Sequence, residues 1–273
     1  MTEQPKDPNS TESSLPAEKA GGLMLPDQML PPNLFVLPVS STPVFPTLMA
    51  PLLVKEPRFI ATVEEAISRQ RLLGLLLIRE GEGRQLGEGT KPEDLFDVGV
   101  VVKILKRIKM PDGSINLLVH SMRRFRSKRV LSDDPYIVVE TDYLEDIAEK
   151  SNEMDALTRS VISHVKKLSE VNPFFTEEMR LAMINAPGPG TVADLVAFAL
   201  ALPKSEAQEF LETLSVKTRF ERLLVHLRRE QDVADVQRRI NDEVNSKLTK
   251  LQREFFLKEQ MKLIKRELGV EED

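Results

Sequence analysis

Between Asn33 and Val54 the chain sets short apolar runs between prolines at Pro38, Pro43, Pro46 and Pro51. That pattern suits brief strands with bends and not a helix. "LLGLLLI", Leu72 to Ile78, is apolar at nearly every position; it is too short for a helix and reads as a strand covered on both faces. In "DVGVVVKILKRIKMPDGSINLLVHSMRRF" two β-prone runs are joined by Met110, Pro111, Asp112 and Gly113. Pro fixes φ, Asp closes an Asx turn and Gly frees φ, so a β-hairpin is predicted. Val100, Val102 and Ile104 should form an apolar face, with Val101, Lys103 and Leu105 on a mixed one. "PYIVVETDYL" predicts a further strand near Tyr136 to Tyr143. Ahead of "LLGLLLI", "TVEEAISRQ" offers Thr62 and Glu65 as a capping box for a short helix.

After Asp146 the period becomes helical. Met154, Leu157, Val161, Val165 and Leu168 place one apolar stripe on a helix. "NPFFTEEMRLAMIN" predicts a second helix capped at Thr176, with Phe174 or Phe175 as a hydrophobic staple or an exposed contact, and "APGPG" breaks it at Pro187 to Gly190. Thr191, with Asp194 three residues on, should then cap "VADLVAFALAL", apolar almost all round and so the buried member of a small bundle. From about Lys217 to Leu268 no Pro or Gly intervenes, and Ile240, Val244, Leu248, Leu251 and Phe255 recur at helical spacing. A helix from Val233 to Leu268 would be on the order of 50 Å long at ~1.5 Å per residue. Both charge signs flank its stripe, as in a solvated or coiled-coil helix. Phe256 lies about 100° round from Phe255 and needs a second surface, which a neighbouring helix or subunit would supply. Phe255, Phe256 and Met261 are therefore candidate interhelix or intersubunit contacts, and Gly269 is the expected helix stop.

The expected organisation is a flexible tail over 1–32, a β domain over 33–146, a helical bundle over 147–216 and a long helix over 217–273. The tail reading rests on a start rich in Pro, Ser, Thr, Glu and Asn, which buries too little to offset its ordering entropy. It also lacks the basic-then-apolar layout of a signal peptide. No apolar run reaches the ~20 residues of a membrane span, so no membrane partner and a cytoplasmic location are expected. The fold class is α+β.

Composition narrows the chemistry. The absence of Cys excludes disulfides, thiol nucleophiles and thiolate metal sites. His120, His164 and His226 are far apart in sequence and none has a second His at i+3 or i+4, so no metal site is expected. No G-x-x-x-x-G-K-[ST], G-x-S-x-G or H-E-x-x-H occurs. "EGEGRQLGEG" reads as a surface loop. The paired carboxylates Glu64/Glu65, Asp133/Asp134 and Glu177/Glu178 fall at expected helix starts or in loops, where negative charge complements the helix dipole. No catalytic constellation emerges.

Two segments offer binding chemistry. In "FPTLMAP", Leu48 and Met49 stand between prolines, where regular hydrogen bonding is not expected. They either plug the core or are exposed to an apolar ligand, with Met an adaptable contact; Pro46, Leu48, Met49 and Pro51 are the candidate substrate-binding residues. The basic hairpin 103–129, with Lys103, Lys106, Arg107, Lys109 and Arg123 to Arg129, could form a positive face for nucleic acid such as DNA. A net charge of −5 and a single Phe125 for stacking weaken that alternative.

"LPVSSTPVFPTLMAPLLV", "VEEAI", "DLFDVGVVVKILKRIKMPDGSINLLVHSMRRFR" and "QREFFLKEQMKLIKRELG" together resemble the amino-terminal region of the Lon family of ATP-dependent proteases, in that family's order and spacing. The chain departs from the family where Ser40 and Ser41 replace an Arg followed by Asp or Asn. It departs again at Pro46-Thr47, where Pro-Gly is common, and at Phe255-Phe256, where the family has a Tyr pair. The resemblance implies a PUA-like β domain, then a helical bundle and a long helix. It implies a role in recognising and assembling on protein substrates, those unfolded, damaged or short-lived and regulatory. It further implies a longer homohexameric parent that uses ATP and Mg, with an AAA+ ATPase and a Ser-Lys protease to which no residue here corresponds. The expectation is a fragment that binds substrates and carries no catalytic, nucleotide or metal site.

Overall fold

A computed structural model describes residues 30–79, 86–87, 89–169 and 175–268. Residues 1–29 of the expected tail, most of the "EGEGRQLGEG" loop, Phe174 and Gly269 lie outside the described residues. Pro32, expected in the tail, is instead held in place: its carbonyl accepts from Thr141 N at 2.8 Å.

Six strands form one sheet in the order β2-β5-β4-β3-β1-β6, with β5 also paired to β6. The strands are β1 Asn33–Val39, β2 Met49–Val54, β3 Leu72–Leu77, β4 Val98–Lys109, β5 Ile115–Ser132 and β6 Val138–Tyr143. Because β5 is 18 residues long, its two halves have different partners. Phe125 to Ser132 pair with β6 and close a ring through β1, β3 and β4. Ile115 to His120 run past that ring and pair with β2. Only β1 and β3 are parallel, and α1, Pro57–Ser68, is the crossover they require. Gly74 lets the Phe125 ring lie against β3: a Cβ there would be 2.7 Å from Phe125 Cζ.

The hairpin forms as its turn chemistry predicts. Asp112 Oδ1 accepts from the Ser114 backbone N at 3.0 Å and from the Ser114 hydroxyl at 2.6 Å. Those bonds hold the Asp112 carboxyl below its ordinary value. Val101 is as fully buried as Val100 and Val102, so the mixed face expected there applies only beyond it, at the exposed Leu105.

The proposed start of α1 was misplaced. The helix begins at Pro57, whose missing N–H costs nothing at N1. Thr62 is therefore an interior, buried residue, and its hydroxyl donates to the Arg58 carbonyl.

The helices are α2 Asn152–Leu168, α3 Glu177–Ile184, α4 Pro189–Ala199, α5 Lys204–Glu212 and α6 Val216–Glu267. The α2 stripe is buried at Met154, Val161, Val165 and Leu168, and Thr176 caps α3 as expected. Thr191 does not cap α4. Pro189 again enters at the first turn with Gly188 as the cap residue, so only Ala186, Pro187 and Gly188 of "APGPG" lie between α3 and α4. α6 starts inside the bundle at Val216 and runs 52 residues, about 78 Å at 1.5 Å per residue. Val216, Phe220, Leu223 and Leu227 on it are buried in a core shared with α2, α4 and α5. That core is continuous with Leu73, Val100, Leu117 and Phe59 of the β half. Phe45 meets Phe210 of α5 edge-on at 5.6 Å across it.

Candidate functional site

Two features stand out from this scaffold: an exposed apolar face on the strand that overruns the ring, and a buried ionic joint further along the same strand.

The "FPTLMAP" segment is more regular than its prolines suggest. Met49 to Val54 form an edge strand, and Pro51 fits within it because the edge leaves its nitrogen without a bond to make. The four candidate residues divide. Pro46 is buried, Leu48 is half-buried against the core, and Met49 and Pro51 are exposed. Thr47 turns the chain between them with φ of 65°. Ser121 pins this turn, accepting from Leu48 N at 2.9 Å and lying 2.6 Å from the Phe45 carbonyl.

Strand register places the exposed side chains in rows. Met49 lies opposite His120, Pro51 opposite Leu118 and Lys106, and Leu53 opposite Asn116 and Ile108. Met49 is 65% exposed, Leu53 56%, Ile108 47% and Leu118 38%. Large aliphatic side chains left together in solvent on a sheet face mark an interaction surface. Leu53, Leu118 and Ile108 escaped the sequence reading. The signal was present in the unbroken runs Leu52-Leu53-Val54 and Leu117-Leu118-Val119, since a strand buried on one face alternates.

Further along β5, Arg124 reaches into the helical half. Its guanidinium donates to Asp194 at 2.6 and 2.9 Å, and its Nε donates to the Leu211 carbonyl at 2.9 Å. Arg219 of α6 donates to Asp194 at 2.7 Å and pairs with Asp146 at 2.5 Å. Arg124, Asp194 and Arg219 are all buried. Burial pushes the Asp194 carboxyl above its ordinary value, against the downward pull of Arg124 and Arg219. A cleft of about 290 Å³ lined by Pro46, Thr47, Arg124, Asp146 and Asp194 links the turn before β2 to this joint. Asp194, expected as part of a helix cap, and Arg219, to which the sequence assigned no role, are thus structural ions.

The basic hairpin is largely neutralised. Arg107 and Lys109 share Glu64 at 3.3 and 3.1 Å, Arg129 pairs with Glu140, Lys128 with Asp142 and Arg123 with Glu145. Arg124, counted in the positive face from sequence, is not on the surface. On α6, the residues beyond the bundle keep an exposed stripe through Ile240, Val244, Leu248, Leu251 and Phe255, with Phe256 and Met261 also exposed. No described cluster of His, Asp or Glu could hold a metal ion, and no described helix is long and apolar enough to cross a membrane.

A closed β ring with an overrunning apolar edge, ionically locked to a helical bundle, defines an α+β binding module. The sequence model of the ATP-dependent protease La (LON) substrate-binding domain matches residues 33–229, and the chain belongs to that family. It is 38% identical over 247 residues to the Lon protease of Leptospira interrogans, covering 90% of this chain and 29% of that protein. It is 37% identical over 257 residues to the Lon protease of Treponema pallidum, covering 94% of this chain and again 29% of that protein. The chain thus spans about three-tenths of the length of these relatives. The N terminal domain of Mycobacterium avium complex Lon protease shares the fold with a TM-score of 0.57 at 22% identity, covering 71% of this chain and 97% of that one. A Lon N-terminal domain protein from Xanthomonas campestris does so at 0.51 and 21%, with the same coverage.

Proposed function

We propose that this chain captures exposed apolar segments of misfolded, damaged or short-lived regulatory proteins and delivers them to an ATP-dependent serine protease. The observation that carries this reading is the solvent-exposed cluster of Met49, Pro51, Leu53, Leu118 and Ile108 on the overrunning strands. Folded proteins bury such groups and unfolded chains expose them, so an apolar face discriminates by folding state and not by sequence. Lys106 in the same rows favours segments with nearby acidic residues.

The chain's part in this scheme is binding. ATP and Mg²⁺ serve the parent enzyme, and they are not assigned to these residues, because the sequence holds no phosphate-binding glycine loop with a following Lys. We place the assembly in the cytoplasm, and we assign the exposed stripe of α6, including Phe255, Phe256 and Met261, to contacts between copies in a homohexameric parent.

The test is binding of a permanently unfolded, fluorescently labelled protein to the chain and to Met49→Asp/Leu53→Asp. Affinity should fall at least about tenfold, since two apolar contacts worth roughly 1 kcal/mol each are lost. Both side chains are exposed, so the thermal midpoint should stay within about 2 °C. Unchanged affinity in the double variant would refute the assignment.

A further inference from the structure

The backbone of β2 carries information that its side chains do not. Ser121 N donates to the Leu48 carbonyl at 2.8 Å, which makes Leu48 and Ser121 a hydrogen-bonded pair of the antiparallel ladder. Such pairs alternate along two antiparallel strands. The register then makes Ala50–Val119, Leu52–Leu117 and Val54–Ile115 the bonded pairs, and Met49–His120, Pro51–Leu118 and Leu53–Asn116 the non-bonded ones.

The other hairpin seam agrees. Met110 N donates to the Ser114 carbonyl, so Ile108–Asn116 is a bonded pair on the β4 side. The backbone of Asn116 is therefore turned toward β4, and that of Ile115 toward β2. In consequence Met49, Pro51 and Leu53 turn their backbone groups away from β5, toward the open side of β2. Among the described residues β2 ends the sheet, with no strand beyond it.

The free edge therefore presents the N–H and C=O of Met49, the C=O of Pro51 alone, and the N–H and C=O of Leu53. We propose that the occupant of this site is an extended polypeptide that adds to β2 as a further antiparallel strand. This rests on the capture of apolar segments argued above and specifies how the segment is held. Hydrogen-bond complementarity selects the chemistry: the edge offers acceptors at three alternate positions and donors at only two of them. Only a peptide backbone in the β conformation repeats its donors at that spacing.

The same alternation couples backbone to side chains. Residues of the incoming strand directly opposite Met49, Pro51 and Leu53 put their side chains on the exposed face, beside those residues and Leu118. The bound segment should thus carry apolar residues at every second position, the pattern of a strand that has lost its own sheet. Pro51 withholds the central donor. Proline at an edge guards against pairing between folded sheets, and here it weakens the added strand without forbidding it. A second copy of this chain pairing edge to edge would place Pro51 against an equally proline-interrupted strand, which favours a peptide over a copy.

The experiment is an N-methyl scan of a labelled heptapeptide with Val and Thr in alternation, titrated against the complete 273-residue chain. Methylation at each of three alternate residues should weaken binding roughly three- to tenfold, the effect of one lost backbone hydrogen bond. Methylation of the residues between them should change it less than about twofold. Pro51→Val, which restores the central donor, should tighten binding roughly threefold or more. Equal tolerance of methylation at every residue, with binding still lost in Met49→Asp/Leu53→Asp, would overturn strand addition and leave apolar capture standing. Failure of the unmethylated peptide and of an unfolded protein to bind would remove both. A concentration-dependent dimer that peptide cannot dissociate would overturn the peptide in favour of a second copy.

Discussion

Arg124 on β5 grips Asp194 on α4 through two charge-assisted hydrogen bonds of 2.6 and 2.9 Å, with both groups buried. Arg219, at the root of the long helix, holds the same carboxylate at 2.7 Å. The strand that bears Leu118 and the helix that bears Phe255 are therefore tied to a single carboxylate.

Removing one partner strands a buried charge. Arg124→Met should cost about 3–5 kcal/mol in urea denaturation. Arg124→Met/Asp194→Leu should cost less than the two single changes combined, because it removes both ends of the Arg124–Asp194 pair. Strict additivity in that cycle would show that the pair is not coupled.

Gly190 is required by its neighbour and not by its backbone. An added Cβ would lie 1.9 Å from Asp146 Oδ2 and 3.3 Å from Arg219 Nη2. In a helix, Ala ordinarily stabilises by about 1 kcal/mol relative to Gly. Gly190→Ala should instead destabilise, by about 2–4 kcal/mol, as Asp146 is driven off Arg219. A rise in thermal midpoint would contradict the geometry.

Thr47 holds φ at 65°, a conformation that is costly for a β-branched residue. Thr47→Gly should raise stability by about 0.5–1 kcal/mol, the relief of strain outweighing the added freedom of the unfolded chain. Calorimetry of the two chains decides the sign.

The hairpin turn is pH-sensitive in a defined direction. Bonds from Ser114 lower the Asp112 carboxyl below its ordinary 3.8. A depressed folded value means that the turn's contribution is complete above 3.8 and is lost as pH falls through the folded value. Carboxyl-carbon NMR titration should give Asp112 a midpoint below 3.8. Ser114→Ala should move it upward, and no movement would assign the shift elsewhere.

The contacts between copies proposed for the exposed stripe of α6 would make self-association sensitive to charge. Ile240→Glu/Leu251→Glu should leave the folded bundle intact, because both positions lie beyond its core and are more than half exposed. The change should weaken association of the chain in sedimentation experiments by roughly tenfold. Unaltered association would move the contact off this stripe.

Apart from α5, Lys204–Glu212, which no sequence signal had marked, the order of strands and helices was legible because local signals and tertiary packing agreed. Pro111-Asp112-Gly113 made its turn, and the Met154 to Leu168 stripe found its core. Errors arose where two local signals competed. Thr62 and Thr191 looked like helix caps, but Pro57 and Pro189 had already started those helices, and a proline at N1 outweighs a capping box further along.

The sequence by itself determined the α+β plan, the absence of thiol chemistry and the stretch from Phe45 to Pro51 as a place to look. Each of these follows from composition or from contacts near in sequence. It could not decide that Met49 faces solvent while Leu48 packs inward, nor that Leu118 joins Met49 and Leu53 on one face. Those depend on β5 outrunning the ring, a relation between strands far apart in the chain. Nor could it tell Arg219 from its charged neighbours, because a lone Arg on an amphipathic helix is ordinarily solvated. Arg219 became a buried ion only when folding brought Asp146 and Asp194 within reach, and its desolvation is offset there by two carboxylates that no local pattern connects.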